Sequence, residues 1–346
     1  MIFSKILTHW YSNNKRNLPW RETVNPYYIW LSEIILQQTQ VKQGLPYYEA
    51  FVSKYPTVFD LADAPESDVL KLWQGLGYYS RARNLHASAK YVVNDLDGNF
   101  PNNYKDLLKL KGVGDYTASA IASICFNEVT AVVDGNVYRV FSRYFGINTP
   151  INSSKGAKEF KALAQKLIDK NHPAEFNQAI MEFGATQCKP ANPLCNSCPF
   201  KDSCIALSKN RIAELPVKIK SAKAKKKYFN FLVFISQDEK TVLEKREGKG
   251  IWQNLYQFPL LETEKAVNEK ALSNLIKNHN FLKDTSFEIA LYNKEHIIHK
   301  LSHQHLYTKF WVINLEKLSI EGVSISKVKD YPVPILIGNF IESFNF

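Results

Sequence analysis

The side chains best placed to do chemistry are two carboxylates set among apolar residues and four closely spaced thiols. Asp134 ends the apolar run of AVVDGNV (131–137), and the only turn-forming residues at hand, Gly135 and Asn136, come after it. Asp-Gly is a common turn dipeptide, so a surface turn is the ordinary reading. A carboxylate that closes a buried segment would instead be aimed at something. Glu33 lies in NPYYIWLSEIILQQTQV (25–41), flanked by Trp30, Leu31, Ile34 and Ile35. In such company its ionised form is disfavoured, which is how a protein keeps an acid protonated near neutral pH and ready to give that proton away. The alternative is a Glu on the solvated side of an amphipathic helix. Gln37, Gln38, Thr39 and Gln40 follow one turn later, and amides read purine edges well. Cys188, Cys195, Cys198 and Cys204, in CKPANPLCNSCPFKDSC, have six, two and five residues between them. One short loop-rich segment can therefore gather four thiolates around one metal centre, whereas a secreted disulfide framework would scatter its cysteines. The spacing leaves zinc and an iron–sulfur cluster equally open. Cys125, alone in IASICF, reads as a small core residue.

These groups need a scaffold. The 346 residues suggest about two domains, with 45% apolar content and 21 Phe, 18 Tyr and 6 Trp to fill their cores. A formal charge of +11 favours a polyanionic partner, either nucleic acid or an anionic membrane surface. No apolar run reaches the ~18 residues of a spanning helix, and MIFSKILTHWYSNNKR lacks a signal-peptide pattern, so the expectation is an intracellular protein without a membrane partner. From Pro26 to about Lys209 apolar residues recur at three- and four-residue spacing, as in Leu107, Leu108, Leu110 and then Ala118, Ile121, Ile124, which predicts helices. Asn25 suits an N-cap and Pro26 the first helical position.

Within that stretch, LLKLKGVGDYTASAIASI (107–124) reads as a helix, a tight turn at Lys111, Gly112, Val113 and Gly114, and a second helix from about Asp115. Glycines in the turn let backbone N–H groups at the helix start hold an anion. Lys111, in so basic a chain, favours a DNA phosphate there over a plain helical hairpin. WQGLGYYSRARNL (73–85) sets Tyr78 and Tyr79 after a glycine turn and beside Arg81 and Arg83. That mixture suits stacking on bases and pairing with phosphates, core aromatics being the alternative. Six lysines in residues 218–227 predict an exposed connector. Beyond it YFNFLVFIS (228–236), TVLEKRE (241–247) and YTKFWVINL (307–315) read as strands, and EKAVNEKALSNLIKN (264–278) as a helix.

Taken together, SEIILQQTQV, GLGYYSRARNL, LKGVGDYTA, VDGNV and the four-cysteine tail resemble the helix-hairpin-helix DNA glycosylase superfamily, in its MutY-type adenine-specific branch. The resemblance is strong over about residues 1–215 and weaker over 228–346. It implies a multidomain fold: a mainly α helix-hairpin-helix glycosylase domain with a [4Fe–4S] cluster loop over 1–216 and a smaller α+β Nudix-like domain over 228–346. The first divides into a six-helix subdomain, about 22–130, and a cluster subdomain, 1–21 and 131–216; a basic linker, 217–227, joins the two domains. It makes Glu33 the acid that protonates adenine and later serves the incoming water. Asp134 would stabilise the sugar cation, and Tyr116 and Asn136 would orient them. Trp20, Arg21, Gln38, Thr39 and Glu182 match positions that form or border the adenine pocket. Tyr78 matches a wedge that holds the duplex open. Arg81, Lys111, Gly112, Val113 and Gly114 fall among the DNA contacts. Cys188, Cys195, Cys198 and Cys204 become the cluster ligands.

Two departures bear on DNA contact: Lys111 stands where the family usually has proline, and Lys189 is the only basic residue between Cys188 and Cys195. The distal half, including GKGIWQNLYQFPLLE (248–262), lacks the REUxEE helix of Nudix hydrolases, and HKLSHQH (299–305) has Leu301 in place of the usual Phe. It is therefore expected to read the partner base, 8-oxoguanine or guanine, through Ser302 and His303. The resemblance thus implies a monomer acting on double-stranded DNA in the cytoplasm of a bacterium, at its nucleoid. Three alternatives compete. An endonuclease III-type lyase needs a lysine amine where Tyr116 stands, a Nudix hydrolase needs the missing carboxylates, and a non-catalytic iron–sulfur DNA-binding protein has no use for Glu33 and Asp134 together.

Overall fold

A computed structural model describes residues 2–220, 223–277, 281–282, 286–344 and 346. The chain forms two compact units, one made of residues up to Asp63 with Asn84–Lys220, the other of Ala64–Arg83 with Ser221–Phe346. Twelve helices run through the described residues before the first strand: α1 Ile2–Asn14, α2 Pro26–Leu36, α3 Val41–Lys54, α4 Val58–Asp63, α5 Glu66–Leu72, α6 Ser80–Leu96, α7 Tyr104–Leu107, α8 Asp115–Phe126, α9 Gly135–Phe145, α10 Ser154–Leu167, α11 Pro173–Glu182 and α12 Ile205–Ser208.

The helix boundaries follow from capping chemistry. The Asn25 side chain accepts from Tyr27 N, and Pro26 occupies the first turn of α2. Ser153 accepts from Gly156 N at the start of α10. Asn127 and Gly146, both left-handed, end α8 and α9. Helix α2 packs on α8, and α11 packs on α1, α8 and α9. Phe3, Leu7, Phe141, Phe160, Phe176, Phe183 and Phe200 belong to the core beneath them, with Phe3 and Phe200 stacked at 4.8 Å.

The second unit is built on a mixed sheet. Its strands are β1 Lys225–Ser236, β2 Lys240–Thr241, β3 Glu244–Lys245, β4 Tyr256–Gln257, β5 Leu260–Thr263, β6 Phe287–Leu291, β7 Ile297–Lys300, β8 Gln304–Leu315 and β9 Val323–Ser324. The main sheet runs β5-β1-β8-β6, with β7 also on β8. Strands β1 and β8 are parallel from Lys225 opposite Gln304 to Ser236 opposite Leu315. Helix α13, Glu269–Ile276, contributes Leu272 and Ile276 to a core with Leu232, Phe234, Trp311 and Ile313. Helix α14, Ile335–Phe344, stacks Phe340 on Phe310 at 4.1 Å. The segment 64–83 is tied into this unit by Asn254, whose amide donates to Glu66 Oε1 at 2.6 Å, and by the Tyr79 hydroxyl, which donates to Val333 O at 3.2 Å.

Three sequence expectations change here. Lys225, Lys226 and Lys227 are not connector but the start of β1, because Gln304, His305 and Leu306 pair with them. The strand expected over 241–247 reduces to two-residue pieces in separate small sheets. The helix expected over 264–278 starts only at Glu269, where the Asn268 side chain caps it by accepting from Ala271 N. Parts of two expected spans, 221–222 of the connector and residue 278 of that helix, lie outside the described residues.

Candidate active site

Helix α2 is buried on every side: Tyr27, Ile29, Trp30, Leu31, Ser32, Glu33, Ile34 and Ile35 all lie inside. Glu33 is 8% exposed, which removes the solvated-face alternative. Burial pushes its carboxyl up to about 7; the charge of Asp134 adds to the effect, and a hydrogen bond from Tyr116 and the charge of Arg21 offset part of it. The Tyr116 hydroxyl also lies 3.0 Å from Met181 Sδ. A carboxylate is far the better acceptor, so the single phenolic proton goes to Glu33 whenever Glu33 is ionised.

Asp134 is no surface turn. It is the N-cap of α9: Oδ1 accepts from Asn136 N at 2.9 Å and Val137 N at 2.8 Å, and Oδ2 accepts from the Asn136 amide at 2.8 Å. Burial pushes its carboxyl above the usual carboxylate range; these three donors and the charge of Arg139 offset part of that rise, and the N-terminus of α9 adds a favourable field. Every donor around Asp134 therefore favours its carboxylate form, while Glu33 keeps a proton. Of the two carboxyls, Asp134 has the donors that favour the charged form and Glu33 is the one better placed to hold a proton.

The segment that delivers Asp134 is held by groups that sequence reading does not single out. Asn177, fully buried, accepts from Val132 N and donates to Thr130 O and Ser123 Oγ. Asn136 Oδ1 accepts from Arg139 Nη2 at 2.7 Å, and Arg139 also donates to Gly184 O and to Cys188 O. A side chain at Gly184 would come within 2.5 Å of Asn136 Cβ, so this approach demands glycine. Arginines on a helix of a basic protein look like surface charge, and periodicity gives no sign that Arg139 points inward.

Of the expected pocket residues, Arg21 and Glu182 stand together. Glu182 accepts from Arg16 Nε and Arg21 Nη2, each at 2.7 Å. Burial would raise Glu182, but the hydrogen bonds of Arg16 and Arg21 outweigh it and hold the carboxyl at about 2. Arg21 acts on Glu33 as well, which links this ion pair to the carboxylate pair. Trp20 is buried edge-on against Tyr48, Gln38 is exposed with φ at +54°, and the Thr39 hydroxyl donates to Gln37 O. The amide that does reach the hairpin is that of Gln37, which donates to Gly112 O at 3.3 Å and Thr117 Oγ1 at 3.2 Å.

In the hairpin, Lys111, Gly112 and Gly114 are exposed and Val113 is buried as its anchor. Gly112 has φ at +81° and abuts Asn84, so a side chain there is excluded twice. In the second unit Tyr78 is 51% exposed with φ at +47°. Arg81, expected to meet phosphate, is instead buried: it donates to Leu76 O and Gly77 O and lies over the Trp73 ring at 5.1 Å. It braces the turn that presents Tyr78. A cavity of about 340 Å³ in the same unit is lined by Tyr78, Tyr79, Arg83, Trp252, Ser302 and His303, among others, so the exposed tyrosine and the Ser302–His303 loop share one recess.

The four cysteines of the tail are free thiols. Cys195 and Cys198 each feel the charges of Cys188 and Cys204, and Arg143 approaches Cys188 Sγ at 3.5 Å while donating to Lys189 O and Pro190 O. Among the described residues no three His, Cys, Asp or Glu side chains are close enough to hold a single ion. No helix of the described residues is long and apolar enough to cross a membrane.

The fold agrees with the comparisons with known proteins. The family model described as HhH-GPD superfamily base excision DNA repair protein matches residues 31–180, and a NUDIX domain model matches residues 230–343. Adenine DNA glycosylase of Buchnera aphidicola subsp. Baizongia pistaciae is 37% identical over 92% of this chain and 88% of its own. That of Rattus norvegicus is 46% identical over 62% of this chain and 44% of its own. A solved structure of a thermostable thymine-DNA glycosylase, 33% identical, aligns with 60% of this chain and 96% of its own at a TM-score of 0.56. The chain belongs to the adenine DNA glycosylase family.

Proposed function

We propose that this enzyme is a monofunctional adenine DNA N-glycosylase, acting on adenine opposite 8-oxoguanine or guanine in double-stranded DNA. The observation that carries the reading is the unequal pair: Glu33, pushed up to about 7 by burial, and Asp134, whose carboxyl accepts three hydrogen bonds that favour its charged form. Glu33 gives its proton to N7 of a flipped adenine, the C1′–N9 bond breaks with its electrons leaving on the base, and the sugar becomes an oxocarbenium ion. Asp134 stabilises that cation. Glu33, now a carboxylate, takes a proton from the incoming water, whose oxygen bonds to C1′ and whose proton restores the acid. Arg16 and Arg21 fix Glu182 at the border of the pocket.

Partner reading falls to the recess of Tyr78, Ser302 and His303, which is supported by the exposure of Tyr78 and by the polar ends of the loop. Cys188, Cys195, Cys198 and Cys204 suit a [4Fe–4S] cluster: they are free, they act on one another electrically, and Arg143 beside them offsets the negative charge that four thiolates would gather. When bound, the cluster supplies a structural tie. The test of the reading is product analysis on a duplex with adenine opposite 8-oxoguanine: an intact abasic strand that breaks only with alkali is expected. Strand scission without alkali, or a borohydride-trapped protein–DNA adduct, would mean lyase chemistry through an amine and would overturn it.

A further inference from the structure

The first turn of α8 carries a contradiction. Its leading N–H groups have no carbonyl partners inside the helix, and Gly114 at the N-cap brings no side chain to them, as an anion site requires. Yet Asp115, the first residue of that helix, has a side chain that is 51% exposed, and a second anion brought there would be repelled. The structure answers this with one cation. Lys161, on α10, donates from Nζ to Asp115 Oδ2 at 3.0 Å, to Ser119 Oγ at 2.9 Å and to Ala131 O at 2.8 Å. The Tyr104 hydroxyl donates to the other Asp115 oxygen at 2.6 Å, and Lys161 lies 5.5 Å from the Tyr104 ring centroid.

We propose that Lys161 is a positioning residue that neutralises Asp115 so that the Lys111–Gly114 hairpin can take a DNA phosphate, and that it ties this hairpin to the segment ending in Asp134. The inference rests on the glycosylase reading for its DNA, but it is about charge at the hairpin. Lys161 itself points at protein acceptors, and its third bond falls on Ala131, three residues before Asp134. Engagement of phosphate and placement of the carboxylate therefore share one ammonium group.

The test is binding of an undamaged duplex to the full-length protein over a range of salt, for wild type, Lys161→Met, Lys161→Arg, Asp115→Asn and the double variant Asp115→Asn/Lys161→Met. One unpaired like charge within the same helical turn as a bound phosphate, in a medium between water and protein surface, costs on the order of 1 kcal/mol, so Lys161→Met should weaken binding about threefold to tenfold. Lys161→Arg should lose little, and Asp115→Asn should restore the affinity of Lys161→Met, which a purely structural defect would not allow. Lys161→Met binding like wild type, or an Asp115→Asn change that fails to rescue it, would overturn the proposal. Because undamaged DNA is the probe, this outcome does not depend on adenine release: failure to excise adenine would count against the function instead.

Discussion

Replacing Glu33 with Gln should abolish base release and at the same time stabilise the protein in alkali. The Glu33 carboxyl rises from 4.5 to about 7 because it is buried. Between those two values the folded protein keeps a proton that the unfolded chain has released, so folding stability contributed by this group is complete below about pH 4.5 and is lost as pH climbs through 7. At about 1.4 kcal/mol per pH unit, the loss between pH 5 and pH 8 is about 2–3 kcal/mol. The amide that Glu33→Gln introduces has no such proton to lose and keeps the shape of the side chain. Urea unfolding of wild type and Glu33→Gln, followed by helical circular dichroism at pH 5 and pH 8, should show the variant gaining that difference on the wild type as pH rises. Wild-type base release should fall about tenfold per pH unit above 7, as the acid form is depleted. A stability difference that stays constant from pH 5 to pH 8 would show that Glu33 titrates as an ordinary surface carboxyl, and the proton donor would have to be sought elsewhere.

Three further outcomes follow from the geometry. Asp134→Asn keeps an N-cap of α9, since Asn caps about as well as Asp, but removes the anion; single-turnover base release should drop about a hundredfold or more while duplex affinity holds, and near wild-type turnover would refute the role of the charge. Glu182→Gln leaves Arg21, 13% exposed, and Arg16, 39% exposed, without their anion, and thermal unfolding should register a loss of about 3 kcal/mol, the lower end for a broken buried pair; a loss under about 1 kcal/mol would class the pair with idle surface bridges. Iron analysis of the purified protein should give about four atoms per chain with broad visible absorption, whereas stoichiometric zinc without iron would contradict the cluster.

How far the sequence shows this depends on what kind of force places each group. Burial of Glu33 is legible because its helix neighbours, Trp30, Leu31, Ile34 and Ile35, are apolar all round, and hydrophobic burial is a property of composition and spacing. The start of α9 is not legible: VDGNV reads as a surface turn until the N-cap bonds to Asn136 and Val137 are seen. What escapes is the work of long polar side chains. Arg81 sits among tyrosines after a glycine turn and reads as a phosphate contact, yet its bonds to Leu76 O and Gly77 O make it a brace. Arg139 and Lys161 act on groups 45 and 30 residues away in the chain, and no local pattern encodes such a partner. The lysines of β1 mislead for a related reason: a run of charge predicts a connector, while the backbone pairing with Gln304–Leu306 is a tertiary fact.

The central claim is tested most directly by measuring which base leaves which pair. Under single-turnover conditions, with enzyme in excess over duplexes carrying adenine opposite 8-oxoguanine, adenine opposite thymine, and thymine opposite guanine, free adenine should appear from the first and not from the second, and no free thymine should appear from the third. Release of thymine, as the name of the 33% identical solved structure would suggest for that protein, or release of adenine at equal rates from the first two duplexes, would contradict the account.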